Sequence, residues 1–243
     1  MNAPGKRALV TGGSGAIGQA ICRRLARDGH YVYVHAHRGG SVAAALVDDI
    51  VSSGGEGAVV SFDITDSAAT SAALAALLEA GPIQILVNNA GVHDDAVLPA
   101  MSAAQWQRVI DVSVNGFFNA TQPLLLPMIR TRWGRIVNVS SIAALIGNRG
   151  QVNYAAAKGA LISATKALAL EVATRGITVN AIAPGIIATP MTAELFDAKA
   201  IERLVPMNRP GLPEEVAGVV SFLTSEDAAY VTAQVISVSG GMA

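Results

Sequence analysis

The sequence predicts one α/β domain, a doubly wound parallel sheet of seven strands with helices on both faces. Three observations lead there. Short β-branched runs alternate with longer segments of helical period, the pattern of βαβ crossovers with right-handed connections. The length of 243 residues suits a single α/β domain with a large core. A hydrophobic fraction of 51% at a net charge of -1 supplies apolar surface for that core and no field suited to nucleic acid or an anionic membrane. Small molecules and other proteins are the expected partners.

The first strand is "RALVT" at 7–11, and the loop after it holds four glycines within seven residues, Gly12, Gly13, Gly15 and Gly18. Read as Gly13-x-Gly15-x-x-Gly18, it is the pattern in which missing side chains let the backbone approach a pyrophosphate at a helix N-terminus. A tight turn with nothing bound has the same composition. The helix that follows, "IGQAICRRLARDG", carries Cys22, the single cysteine, on the face of Ile17, Ile21 and Leu25. No disulfide or cysteine metal site is possible within the chain, which fits a reducing, cytoplasmic compartment. The start reaches glycines too soon for a signal peptide, and no apolar run approaches the roughly 20 residues needed to span a bilayer.

The second strand, "YVYVHA" at 31–36, ends at Ala36, where an NAD site would want a carboxylate for the ribose hydroxyls. His37 and Arg38 follow instead, a cationic pair suited to the 2'-phosphate of NADP(H) or to an ordinary solvated loop. Past the third strand, "GAVVSF" at 57–62, Asp63 either accepts from an adenine amine or caps the next element. The helical stretch 67–80 leads to the fourth strand, "IQILVNN" at 83–89, whose Asn88 and Asn89 can bind backbone at a sharp exit, cofactor, or both. The pattern of 103–130 reads as one long helix.

The fifth strand, "GRIVNVS" at 134–140, is followed by Ser141, placed to hydrogen-bond a substrate carbonyl; Ser140 points the other way by strand alternation. Tyr154 and Lys158 then share a helix face at i and i+4, with alanines between them that keep the surface low. An ammonium about 4 Å away in an effective dielectric near 20 is worth roughly 4 kcal/mol, enough to bring a phenol of pKa near 10 towards neutrality and into general acid–base work. The chemistry so assembled is hydride to a carbonyl carbon and a proton from Tyr154 to its oxygen. The sixth and seventh strands are "ITVNAIA" at 177–183 and "QVISVSG" at 234–240. Between them the proline-rich stretch 189–212 reads as an irregular substrate lid.

The ordered set "TGGSGAIG", "NNAG", Ser141, "YAAAK", and Pro184-Gly185 followed by Thr189 resembles the short-chain dehydrogenase/reductase family over the whole chain. The tail from Arg209 and the segment "RGITVNAIAPGII" are most similar to its 3-oxoacyl-(acyl-carrier-protein) reductases. The resemblance implies a Rossmann fold, NADP(H), and reduction of a 3-oxoacyl thioester, with another ketone, a sugar or a secondary alcohol as the alternative substrate. It implies Ser141, Tyr154 and Lys158 as the catalytic set, Lys158 also holding the nicotinamide ribose. It implies cofactor contacts at Gly12, Ser14, Ile17, Gly18, Asp63, Ile64, Asn89 and Ile187. It further implies an acidic carrier protein received by Arg132 and Arg175 near the cleft mouth, and a homotetramer packed through the long central helices, of which 154–173 is apolar around its circumference. Three positions depart from the family. Ala16 replaces a loop glycine, Gly15 stands where relatives often carry a basic residue, and Ser113 aligns with the catalytic asparagine. Asn115, two residues on, faces away from that place unless the helix is distorted. A nucleotide-binding protein without catalysis is the reading that Ser113 and Ala16 would favour.

Overall fold

In the computed structural model, residues 5–189, 192 and 197–243 are described. They form β1 (Arg7–Val10), α1 (Ala16–Arg27), β2 (Tyr31–Ala36), α2 (Gly40–Ser52), β3 (Glu56–Ser61), α3 (Ser67–Glu79) and β4 (Ile85–Asn88). The chain continues through α4 (Ala103–Ile110), α5 (Gly116–Thr131), β5 (Gly134–Val139), α6 (Ala143–Ile146), α7 (Val152–Val172) and β6 (Ile177–Pro184). The last elements are α8 (Ala198–Leu204), α9 (Pro213–Thr224) and β7 (Val235–Val238). All seven strands pair in parallel in the order β3-β2-β1-β4-β5-β6-β7.

Strand alternation sends Ala8 and Val10 to one face, where Ile21, Cys22 and Leu25 of α1, Leu46 of α2 and Val220 of α9 cover them. Leu9 goes to the other face, against Leu74 of α3, Leu124 and Met128 of α5 and Val172 of α7. Near-continuous apolar strands are what a sheet covered on both sides requires. The strand order reverses between β1 and β4, so the crevice of the doubly wound sheet opens beyond the carboxyl ends of those two strands. Among the described residues, no helix is long and apolar enough to cross a membrane.

One expected helix is two. Residues 103–130 break at a π-helical segment, Asp111–Asn115, between α4 and α5. There the backbone at Gly116 runs so close to Ile64 that a Cβ would lie 3.2 Å from its side chain. The widened turn inserts a residue between the two α-helical segments. The expected lid over 189–212 falls partly on 190–191 and 193–196, outside the described residues. The remainder carries α8 and returns to the sheet, where Gly211 pairs with Ile187 in a short parallel bridge.

Candidate active site

The β1 exit is built around absent side chains. Gly12 has φ +63°, a conformation that favours glycine, and a Cβ there would sit 2.9 Å from the Ala90 Cα. A Cβ on Gly13 would meet Val34 at 2.9 Å, and one on Gly18 would meet the Gly12 carbonyl oxygen at 2.3 Å. Helix α1 starts at Ala16 with no side chain capping it, so its first amides are available to an anion. Asn89 fixes the turn from the β4 side: its Nδ2 donates to the carbonyls of Thr11 and Gly12 at 2.9 and 3.0 Å, and its backbone N–H donates to Thr11 Oγ1 at 3.0 Å. This cradle matches a dinucleotide pyrophosphate. Asn88, by contrast, is turned inside, donating to Thr121 and Asn138, and belongs to the scaffold.

From this cradle a cleft of about 510 Å³ runs past Ile17, Asn89, Val92 and His93 to Ser141, Tyr154, Lys158 and Ile187. The carboxyl ends of β1, β4, β5 and β6 thus bring the glycine loop and the Ser, Tyr and Lys into one space. Ser14, His37, Arg38, Asp63 and Ile64 do not line that cleft. His37 and Arg38 are exposed beyond the end of β2. Asp63 Oδ1 accepts from the Thr65 N–H and hydroxyl at 2.9 and 2.8 Å, which holds its carboxyl below the usual range. Its Oδ2 lies 3.6 Å from His37 Nδ1. Ile64 packs in the core under α5, with its carbonyl accepting from Asn119 at 2.9 Å. A side chain at Gly15 would enter nearly open space, its Cβ 3.5 Å from the Gly12 carbonyl oxygen.

At the other end, Ser140 borders the cleft just past β5, but its hydroxyl is committed to the Lys158 carbonyl, to which it donates at 2.8 Å. Ser141 Oγ accepts from the Ala143 N–H at 3.2 Å and lines the cleft together with Tyr154. Lys158 is 3% exposed, with Nζ donating to the Val139 carbonyl at 2.9 Å and lying 5.7 Å from the Tyr154 ring centroid. The sequence had not singled out Gly91, yet a Cβ there would fall 2.9 Å from Lys158 Nζ. The glycine of "NNAG" was the available signal.

Two expectations are corrected here. Tyr154 is not brought towards neutrality by the ammonium. Burial pushes the phenol above its ordinary value, opposed by the Ser141 hydroxyl and reinforced by Asp95. The lysine bonds a backbone carbonyl, and burial takes its own pKa down to about 8. Arg132 and Arg175 are not at the cleft mouth of this chain either. Arg132 ends α5 just before β5 and Arg175 lies just before β6, at the amino edge of a sheet whose carboxyl edge forms the cleft. One strand, about 20 Å, separates the two edges, and Arg132 donates instead to the Thr174 carbonyl at 3.0 Å.

Ser113 lies on the π segment, 2% exposed, and its hydroxyl has no hydrogen-bond partner. The helix is distorted as substitution by Asn115 would require, but Asn115 is exposed and its amide donates to Asp111 at 2.6 Å.

Comparison with known proteins follows the same lines. The sequence pattern of the family described as short chain dehydrogenase matches residues 6–200. The chain is 44% identical over 236 residues to a 3-oxoacyl-[acyl-carrier-protein] reductase FabG of Aggregatibacter actinomycetemcomitans, covering 96% of this chain and 98% of that one. It is 42% identical over 245 residues to the reductase of the same name from Pseudomonas aeruginosa, covering 100% and 99%. Nodulation protein G of Azospirillum brasilense is as similar, 43% identical over 240 residues and 98% of each chain.

Proposed function

The chain belongs to the short chain dehydrogenase family and is an oxidoreductase, and on that premise we propose that it reduces 3-oxoacyl thioesters with NADPH. The observation that carries the reading is the single cleft that joins a side-chain-free pyrophosphate cradle to Ser141, Tyr154 and buried Lys158. The names of the two reductases above support the substrate class; the equal likeness to Nodulation protein G keeps other carbonyls as the alternative. Ala36, which offers no carboxylate, and the cations His37 and Arg38 support NADPH over NADH.

A reduced dinucleotide bound in the cleft would supply hydride to the carbonyl carbon. The residues of the chain do the rest. Gly12, Ile17, Gly18, Asn89 and Ile187 would hold the dinucleotide, and the Lys158 ammonium would face its nicotinamide ribose; Gly13, whose N–H is taken by the His35 carbonyl, stays beneath the loop. Ser141 and Tyr154, both in the lining of the cleft, each have an O–H to donate to the carbonyl oxygen. A phenol whose pKa is raised carries its proton at neutral pH, as an acid in the reducing direction must. As the carbonyl carbon becomes tetrahedral, the oxygen takes the Tyr154 proton, leaving a phenolate beside Lys158 to be reprotonated. Initial-rate oxidation of NADPH with an acetoacetyl thioester tests this function.

Ser113 bears on that reprotonation. The family resemblance implies that an asparagine at this place would hold, through its main chain at a helix kink, a water linking lysine to solvent. Here the π segment supplies the kink and an unpartnered buried hydroxyl supplies a site for that water. Ser113→Asn is therefore expected to change turnover by less than about tenfold, under roughly 1.4 kcal/mol of barrier. A gain of a hundredfold in steady-state assays would show that serine had broken the relay.

The chain also exposes apolar side chains on its long helices: Phe118 and Leu126 of α5, 60% and 61% accessible, and Leu170 of α7, 80% accessible. These support assembly into a homotetramer through α5 and α7. Light scattering should give the mass of four chains, and Phe118→Glu with Leu170→Glu should lower it; an unchanged mass would place the contact elsewhere.

A further inference from the structure

The carboxyl end of β2 holds a buried side chain that the motifs do not account for. His35 is 2% exposed and lies directly under the glycine turn. Its Nδ1 is 3.1 Å from the Gly12 backbone N, its Nε2 is 3.0 Å from the Phe62 carbonyl oxygen, and its own carbonyl accepts from the Gly13 N–H at 2.8 Å. Its ring packs on Phe62, with centroids 4.1 Å apart. One imidazole therefore ties the β1 exit to β2 and β3.

These partners allow a single protonation state. The Gly12 amide can only donate, so Nδ1 must accept; the Phe62 carbonyl can only accept, so Nε2 must carry the hydrogen. Gly12 is thereby clamped on both sides, its N–H by His35 and its carbonyl by Asn89. A proton on Nδ1 would set two N–H groups against each other across 3.1 Å, beneath a residue held at φ +63°. The glycine loop would lose the contact that sets its height above the sheet.

We propose that His35 is a positioning residue for the dinucleotide, holding Gly12 in register as a neutral Nε2–H imidazole, so that acidification weakens dinucleotide binding. This rests on the dinucleotide reading of the cleft. Burial, the largest cause, lowers the His35 pKa; the Phe62 carbonyl and Asp63 oppose the shift, and His37 adds to it. His37 and Asp63 are the titratable groups that act on His35, and from the β1 exit it meets backbone amides.

The test uses two readouts. In the ligand-free protein, nitrogen NMR should show Nδ1 unprotonated and Nε2 protonated at pH 7.5, and the Gly12 amide shift should follow the His35 ring on acidification. In calorimetric titrations, the Kd for acid-stable NAD+, which lacks the 2'-phosphate, should rise as the ring takes up its proton, tending to about tenfold per pH unit below the midpoint that the NMR titration gives. His35→Gln offers a donor to Phe62 and cannot titrate, so it should bind NAD+ more weakly at pH 8 and show no further loss at pH 5. A protonated Nδ1 at pH 7.5, a Gly12 amide indifferent to the ring, or a wild-type Kd unchanged across the pH range in which the NMR shows the ring taking up its proton would each overturn the proposal. Expected NMR behaviour with no binding of NAD+ or NADP+ at pH 8 would overturn the dinucleotide reading, and the proposal with it.

Discussion

Tyr154→Phe should lower turnover by at least about a hundredfold while leaving dinucleotide affinity nearly intact. The substitution keeps the ring that packs beside Lys158, whose Nζ lies 5.7 Å from its centroid, and removes the one O–H that supplies the proton. Loss of a general acid is felt in the barrier and little in the ground state. Ser141 would keep its bond to the Ala143 N–H and could still orient the carbonyl, so KM should move less than kcat. A phenylalanine variant with most of the wild-type rate, measured at saturating substrate, would show that the proton comes from elsewhere.

Lys158→Met should cost activity and confer stability. The lysine is buried, and desolvation takes its pKa from 10.5 down to about 8. Folded pKa below unfolded pKa means that the unfolded chain binds more protons between about pH 8 and pH 10.5. Wild-type stability therefore rises as pH climbs through that window, and below it the penalty is fully present, at about 3 kcal/mol. Methionine keeps much of the volume and removes the charge, at the cost of the bond to the Val139 carbonyl. Turnover should fall by more than about a hundredfold and NADPH binding should weaken, because ammonium and phenol act as a unit. The melting temperature at pH 7 should rise, with an advantage that shrinks from pH 8 to pH 10.5. A methionine variant less stable than wild type at pH 7 would show that the buried ammonium is held at no net cost.

What could be read from the sequence was local or periodic. The parallel sheet came from the alternation of β-branched and helical segments, and the Tyr154–Lys158 pair from helical spacing. What escaped it depends on distant contacts. The π segment at Asp111–Asn115 arises where Gly116 meets Ile64, residues far apart along the chain. The direction of the Tyr154 pKa was misread because spacing gives proximity to Lys158, while burial and the Val139 carbonyl decide what the ammonium does. Arg132 and Arg175 were misplaced because adjacency to strands β5 and β6 does not say at which edge of the sheet they lie. His35 drew no notice among valines, since its partners, Gly12 and Phe62, lie just past the ends of the two neighbouring strands. Asp63 forms a turn by accepting from Thr65 through Oδ1, a contact with a nearby residue that the spacing of the sequence does not specify.

The central claim is that this cleft reduces 3-oxoacyl thioesters with NADPH. The most direct test is initial-rate kinetics at pH 7 with acetoacetyl thioesters of acyl carrier protein and of coenzyme A, beside a panel of simple ketones, sugars and secondary alcohols, each with NADP(H) and NAD(H). The highest kcat/KM is expected for a thioester with NADPH, with a preference for NADPH over NADH and movement of that preference towards NADH in Ala36→Asp, whose carboxylate would repel the 2'-phosphate and bind the free hydroxyls. Turnover of a simple ketone, sugar or alcohol above that of both thioesters, or an equal or inverted cofactor preference in the wild type, would contradict it.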